Sequence, residues 1–144
     1  VYDIVEHLSP SDLEALRQSR FRTAVDASFL KGSSSGLGSA QPILSGSESD
    51  LTFVYDADLM VGIDSEAQDV LERLADAIGE STKSIVLDAG DLLVIDNNVA
   101  VHGRSPFVAR FDGTDRWLQR TFIVSDLSPS ASDRIGRIIT TTFD

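Results

Sequence analysis

Beyond residue 84 the apolar residues of this chain come in short runs, each closed by Gly, Pro, Asn or Asp, and that rhythm narrows the fold more than any other feature. Ile85 to Leu87 leads into the tight turn Ala89-Gly90-Asp91. Leu92 to Ile95 enters Asn97-Asn98, Val99 to His102 stops at Gly103, and Arg116 to Val124 is the last clear extended run. Runs this short between turn formers read as strands. Residues 133–142 read as a final strand or short helix.

The first half is mixed. Ser9-Pro10-Ser11-Asp12 is a helix start, with a Ser cap, Pro in the first turn and an acid near the positive end of the dipole. That helix turns Leu13 and Leu16 inward and stops near Ser19. Phe21 to Phe29 alternates at period 2, as a half-buried strand does. Residues 31–40, including GSSSGLGS, form a flexible loop or lid, or an engineered linker. Pro42 to Leu44 and Leu51 to Tyr55 are two strands joined by a polar turn. Ser65 caps an amphipathic helix carrying Val70, Leu71, Leu74, Ala75 and Ile78 on one stripe and ending near Gly79. Short strands, about two helices, and neither a βαβ rhythm nor a phosphate-binding glycine loop suggest a mainly-β sandwich or jelly roll with the helices packed outside.

At 144 residues the chain makes one domain at most. A net charge of −11 argues against nucleic acid and anionic membrane as partners. The absence of cysteine excludes disulfides and thiolate metal sites. No apolar run approaches the ~20 residues of a membrane span, and no signal-peptide pattern opens the chain, so a cytoplasmic location is expected. The chain begins with Val1, which fits an internal piece of a longer protein or a trimmed terminus.

Three positions and one pair carry chemistry. His102 ends an apolar run with Gly103 behind it. It reads either as a metal ligand at a strand end or as a histidine hydrogen-bonded to a neighbouring loop. On an extended strand Arg116, Leu118, Arg120 and Phe122 share a face. Two arginines there need an anionic partner, met either by a bound carboxylate or by Asp91, Asp96, Asp112 or Asp115; an edge strand would leave them solvated. Asp56 and Asp58 flank Ala57 at a strand end and suit a substrate cation, a metal or simply a solvated turn. His7 has no acid two residues on, Ser9 standing there, and reads as structural.

The stretch LDAGDLLVIDNNVAVHGRSPFVARFDGTDRWLQRTFIVSD resembles the C-terminal core of the clavaminate synthase-like iron(II)/2-oxoglutarate-dependent oxygenases. The resemblance is closest to the branch that hydroxylates free or carrier-bound amino acids, such as asparagine and arginine β-hydroxylases. It rests on GD before an apolar run, then DN, H-x-R-x-P-F, R-x-D-G-x-D-R-W and a final Arg. With the weaker PILSG…LTFVYDADLM segment it covers most of the chain from about Phe21.

The resemblance implies a double-stranded β-helix, or jelly roll, of which residues 1–144 are the C-terminal portion. It implies Fe(II) held by two histidines and a carboxylate, 2-oxoglutarate as cosubstrate, O2 as oxidant and a small amino acid as substrate. His102 then takes the distal histidine's place. Arg116, 14 residues on (116 − 102), takes the place of the arginine that binds 2-oxoglutarate, and Arg120 that of a second arginine at the cosubstrate or substrate carboxylate. Asp56 falls where relatives contact the cationic part of the substrate, with Asp58 beside it. The family's other two ligands form an H-x-D/E pair well upstream. This chain has only His7 and His102, and no such pair. An N-terminal segment or a second chain is therefore expected to complete the iron site. The alternative is a non-catalytic jelly-roll relative or partner subunit that binds a small anion.

Overall fold

A computed structural model of the chain describes residues 1–24, 36–121, 123–124, 126, 128, 131–132, 134–136 and 138–139. Two compact units divide at His102: Val1–His102 and Gly103–Asp144.

The first unit opens with two short helices, α1 (Tyr2–Val5) and α2 (Pro10–Leu16). The predicted cap of α2 is present: Ser9 Oγ accepts from the Asp12 amide at 3.1 Å, satisfying one orphan donor of the first turn. Strand β1 (Phe21–Thr23) pairs antiparallel with β4 (Met60–Gly62), and β2 (Leu44–Ser47) pairs with β3 (Asp50–Phe53) across a two-residue loop. The hairpin is therefore shifted from the expected strands at 42–44 and 51–55. Gly46 accounts for the shift. It lies at φ +83°, and a Cβ there would stand 2.0 Å from the Asp50 carbonyl oxygen, so only glycine lets the strand extend to the turn.

Helix α3 (Ser65–Ser81) is the long element. Its cap is Asp64, not Ser65: the Asp64 carboxylate accepts from the Ala67 amide at 2.9 Å. Arg20 holds that carboxylate at 2.6 Å and pulls its pKa down, with the Ala67 amide assisting. The helix also runs past Gly79. The hydroxyls of Ser81 and Thr82 donate to the carbonyls of Ala77 and Ile78 at 2.8 and 2.7 Å, so hydroxyl groups satisfy the last carbonyls where a glycine cap was expected. At the other end β4 meets α3 with no room to spare, since a Cβ on Gly62 would lie 2.5 Å from the Gln68 nitrogen.

The core lies between α3 and the two sheets. Leu16, Phe21, Ile43, Leu44, Val70 and Leu74 are its most enclosed side chains. Ala67, Val70, Leu71, Leu74 and Ala77 give α3 its buried stripe; Val70, Leu71 and Leu74 are as the periodicity predicts, whereas Ala75 is exposed and Ile78 only half-buried. Asp12 is buried at the edge of this core. It accepts from Arg73 at 2.7 and 3.0 Å and from the Ser9 hydroxyl at 2.6 Å, joining α2 to α3.

The expected strands at 85–87, 92–95, 99–102 and 116–124 are not formed among the described residues. An extended segment becomes a strand only when its N–H and C=O groups meet a neighbouring strand's in a ladder, and no described residue supplies such a ladder here; the Val1 nitrogen on the Val99 carbonyl is a single bond. From Phe21 to Phe29, only the first three residues are β1. Residues 25–29 lie outside the described residues, as do 31–35 of the expected loop. The described end of that loop is tied down: the Gly38 amide donates to the Thr23 carbonyl at 2.9 Å.

In the second unit the described strands are β5 (Arg134–Ile135) and β6 (Ile138–Ile139), a small antiparallel pair where a strand or short helix was expected. Overall the described strands make three two-stranded antiparallel sheets, and more residues lie in helices than in strands. The described residues contain three helices where about two were expected, the extra one being the single turn α1. No helix among the described residues is long and apolar enough to cross a membrane.

Candidate active site

His102 is positioned from both ends of the turn before it. Asp96 caps that turn, its Oδ1 accepting from the Asn98 amide at 2.9 Å and its carbonyl from the Val99 and Ala100 amides. The Phe53 amide donates to the Asn98 carbonyl at 2.7 Å, and the Val1 nitrogen to the Val99 carbonyl at 2.6 Å, so the turn is pinned to β3 and to the first residue of the chain. Val101 packs against the core beside it. His102 itself is exposed and makes no hydrogen bond or ion pair with any described residue. Among the described residues no neighbouring loop satisfies it. An imidazole with both nitrogens available is chemically suited to a metal ion. No group of three His, Asp or Glu side chains among the described residues could hold one, so His102 would be one ligand of a larger set.

Arg116 belongs to the second unit. The loop before it folds around Asp115, whose carboxylate accepts from the Arg110 and Phe111 amides at 2.8–3.1 Å. These backbone bonds hold the Asp115 carboxyl below its usual pKa range. Phe111 sits at φ +58° and Gly113 at φ +84°, the left-handed conformations that close the loop. Arg116 then donates from Nη2 to the Ser105 carbonyl at 2.8 Å and lays its guanidinium over the Phe107 ring at 4.8 Å. Arg104 lies over the same ring at 5.5 Å. Within this unit neither Asp112 nor Asp115 pairs with Arg116: Asp112 accepts from Thr114, and Asp115 as described. The remaining N–H groups of Arg116 have no partner among the described residues. They form the fork that suits a carboxylate. Arg120 is exposed, on a segment with no assigned strand.

Sequence reasoning did not single out Phe107 and Ser105 as the supports of Arg116. The signal was the Ser105-Pro106-Phe107 segment, where an aromatic ring follows a proline inside a polar loop.

Asp56 and Asp58 lie together, but not on a continuing strand. β3 ends at Phe53 and the chain turns at 57–59. Asp56 Oδ1 accepts from the Asp58 and Leu59 amides at 3.0 and 3.1 Å, so one oxygen shapes the turn and Oδ2 has no described partner. Asp58 is exposed. Beside them a shallow hollow of about 170 Å³ is lined by Tyr55, Asp56, Met60, Gln68 and Glu72 among others. Burial raises the Tyr55 phenol pKa, and the charges of Asp56 and Asp58 raise it further. Those carboxylates therefore set up a negative field at the hollow, suited to a cation. His7 sits elsewhere, on the surface, 3.1 Å from Glu80.

The chain is similar to known proteins along most of its length. The sequence pattern of the family described as taurine catabolism dioxygenase TauD, TfdA matches residues 37–122. An L-lysine 3-hydroxylase from Catenulispora acidiphila is 42% identical over 97% of the chain. Among solved structures, asparagine oxygenase with Fe(II), (2S,3S)-3-hydroxyasparagine and succinate superposes with a TM-score of 0.83 at 35% identity over 93% of the chain. The non-heme iron oxygenase OrfP with Fe, succinate and (3S)-hydroxy-L-Arg gives 0.74 at 35% identity over 92%. The chain spans 41% of the length of each of the three.

Proposed function

The chain belongs to the taurine catabolism dioxygenase TauD, TfdA family, and on that premise we propose that it is the C-terminal portion of a jelly-roll oxygenase that hydroxylates an amino acid, free or carrier-bound, using iron(II), 2-oxoglutarate and O2. The observation that carries this reading is the state of Arg116: its guanidinium is fixed by Phe107 and the Ser105 carbonyl and is paired with no described carboxylate.

In this reading His102 holds the metal through one imidazole nitrogen. Arg116 binds the distal carboxylate of 2-oxoglutarate, and its fixed plane sets the direction from which the keto acid approaches. Arg120 assists at a carboxylate of the cosubstrate or substrate. Asp56, with Asp58 beside it, orients the polar end of the amino acid through the carboxylate oxygen that the turn does not use. Iron(II), when bound, supplies the oxidising chemistry in which 2-oxoglutarate loses CO2 to give succinate and one oxygen atom enters a C–H bond of the substrate. The remaining histidine and carboxylate ligands would come from a polypeptide segment outside residues 1–144.

Relatives named for lysine, asparagine and arginine derivatives define the substrate class to test. The experiment is amino-acid-stimulated release of succinate from 2-oxoglutarate by this chain joined with a polypeptide that supplies the other two ligands and loaded with iron(II), with each of the three amino acids offered in turn. Stimulation by at least one is expected. Asp56→Asn keeps an acceptor for the Asp58 and Leu59 amides while removing the charge, so it should raise KM for a cationic substrate and leave the slow substrate-free turnover in place. Binding of 2-oxoglutarate with no turnover under any amino acid would overturn the oxygenase reading in favour of an anion-binding relative.

A further inference from the structure

Residues 104–107 form the cradle of Arg116. The Ser105 carbonyl accepts from Arg116 Nη2 at 2.8 Å, and the Phe107 ring centre lies 4.8 Å from the same guanidinium. Pro106 stands between the two supports, and its fixed φ stiffens the backbone that spaces them. The fourth residue, Arg104, places its own guanidinium 5.5 Å from the centre of the Phe107 ring. Arg104 makes no hydrogen bond or ion pair with any described residue, so the ring is its described partner. Two cations drawn to one ring repel each other, and within this unit Asp112 and Asp115 are engaged elsewhere, on Thr114 and on the Arg110 and Phe111 amides. What offsets the repulsion is the negative face of the ring, which attracts a guanidinium wherever it rests.

We propose that Arg104 is a positioning residue for the keto-acid clamp: it steadies the Phe107 ring, and the ring sets the plane of Arg116. A phenyl ring turns about χ1 and χ2, and each turn tilts the guanidinium resting on it. A second cation drawn to the same ring restricts that turning. Arg104 thus acts on the cosubstrate through Phe107 and without touching it, unlike Arg116, whose free N–H fork meets the carboxylate. One cation–π contact sets the scale of the effect, about two- to fivefold in affinity. The inference rests on the reading of Arg116 as the residue that binds 2-oxoglutarate, and the placement of Arg116 is measured apart from that reading.

The test uses this chain joined with a polypeptide that supplies the other two iron ligands. The first measurement, made without iron or keto acid, follows the Nε–H magnetic resonance of Arg116, identified by its loss in Arg116→Lys and shifted by the Phe107 ring. Arg104→Gln should move that resonance toward its position in Phe107→Leu. Arg104→Lys keeps a cation for the ring and should return it most of the way. The second measurement is anaerobic calorimetry of 2-oxoglutarate binding with iron(II) present. Arg104→Gln should weaken binding about two- to fivefold, Arg104→Lys should restore it, and in a Phe107→Leu background Arg104→Gln should change nothing further. Equal weakening in both backgrounds would overturn the proposal in favour of direct contact between Arg104 and the anion. An Arg116 resonance that Arg104→Gln leaves in place would overturn it outright. If the resonance moves as expected while Arg116→Ala leaves 2-oxoglutarate affinity intact, the clamp reading fails and the hold of Arg104 on Arg116 stands.

Discussion

Asp12 is the one buried charged residue among the described core, and removing its carboxylate should cost a definite amount. Its side chain is 8% exposed, and it accepts the Ser9 hydroxyl at 2.6 Å and two guanidinium N–H groups of Arg73 at 2.7 and 3.0 Å. A hydrogen bond to a charged group contributes about 1.5–3 kcal/mol when both partners are enclosed. Arg73 is 51% exposed, so it rehydrates when its partner is lost and its share falls toward the surface-pair range. Asp12→Ala should therefore destabilise the protein by about 2 kcal/mol. The cap survives, because the Asp12 amide and the Ser9 hydroxyl that form it remain. Urea unfolding followed by helical circular dichroism should show a lower midpoint with an unchanged slope. The pH dependence has a fixed sign. The Arg73 bonds lower the Asp12 pKa, with the Ser9 hydroxyl helping against the opposing effect of burial. The carboxylate's contribution is then complete above its unfolded value of about 3.9 and is lost as pH falls through the lower folded value. Wild type and Asp12→Ala should thus converge in strong acid. A loss below about 0.5 kcal/mol, which is the scale of an ordinary surface substitution, or a difference that persists unchanged into strong acid, would refute the reasoning.

Arg116→Ala should weaken 2-oxoglutarate binding by about a hundredfold, the scale of two charge-assisted bonds, while Arg116→Lys recovers only part because it cannot offer the fork. Phe107→Leu, which removes the ring under the guanidinium, should cost only a few-fold by calorimetry. Equal affinities across the three would remove Arg116 from the site. Gly46→Ala should destabilise the β2–β3 hairpin by more than about 1 kcal/mol, since both the positive φ and the Asp50 carbonyl oppose a Cβ. A neutral result in urea unfolding would mean the hairpin turns in some other way.

The local signals in the sequence were legible where they concern a single element. The Ser9 cap, the Val70–Leu74 stripe and the turn after Leu92–Ile95 all follow from residues close in sequence. The one-residue error at Asp64 arose because two adjacent cap-competent residues stand there, and only the long-range pair with Arg20 selects the first. The overrun past Gly79 has a similar cause: the hydroxyls that end the helix lie beyond the glycine. The strands at 85–95 and 116–124 show the larger limit. Periodicity reports which residues want to be buried, but pairing needs a neighbour, and no described residue provides one. At the site, the spacing of His102 and Arg116 was visible. The packing of Arg116 on Phe107 was not, because a ring nine residues away (116 − 107) comes near only through the loop that Asp115 closes.

The central claim is that His102 and Arg116 are one histidine ligand and the keto-acid clamp of an iron(II) oxygenase. Anaerobic titration of the chain with iron(II) and 2-oxoglutarate, in complex with the complementing polypeptide, tests it most directly. The account predicts the weak visible charge-transfer band of the iron–keto acid chelate, lost in His102→Ala and displaced to higher 2-oxoglutarate concentration in Arg116→Ala. A folded complex that binds 2-oxoglutarate and iron(II) yet shows no band, or a band that survives His102→Ala unchanged, would contradict it.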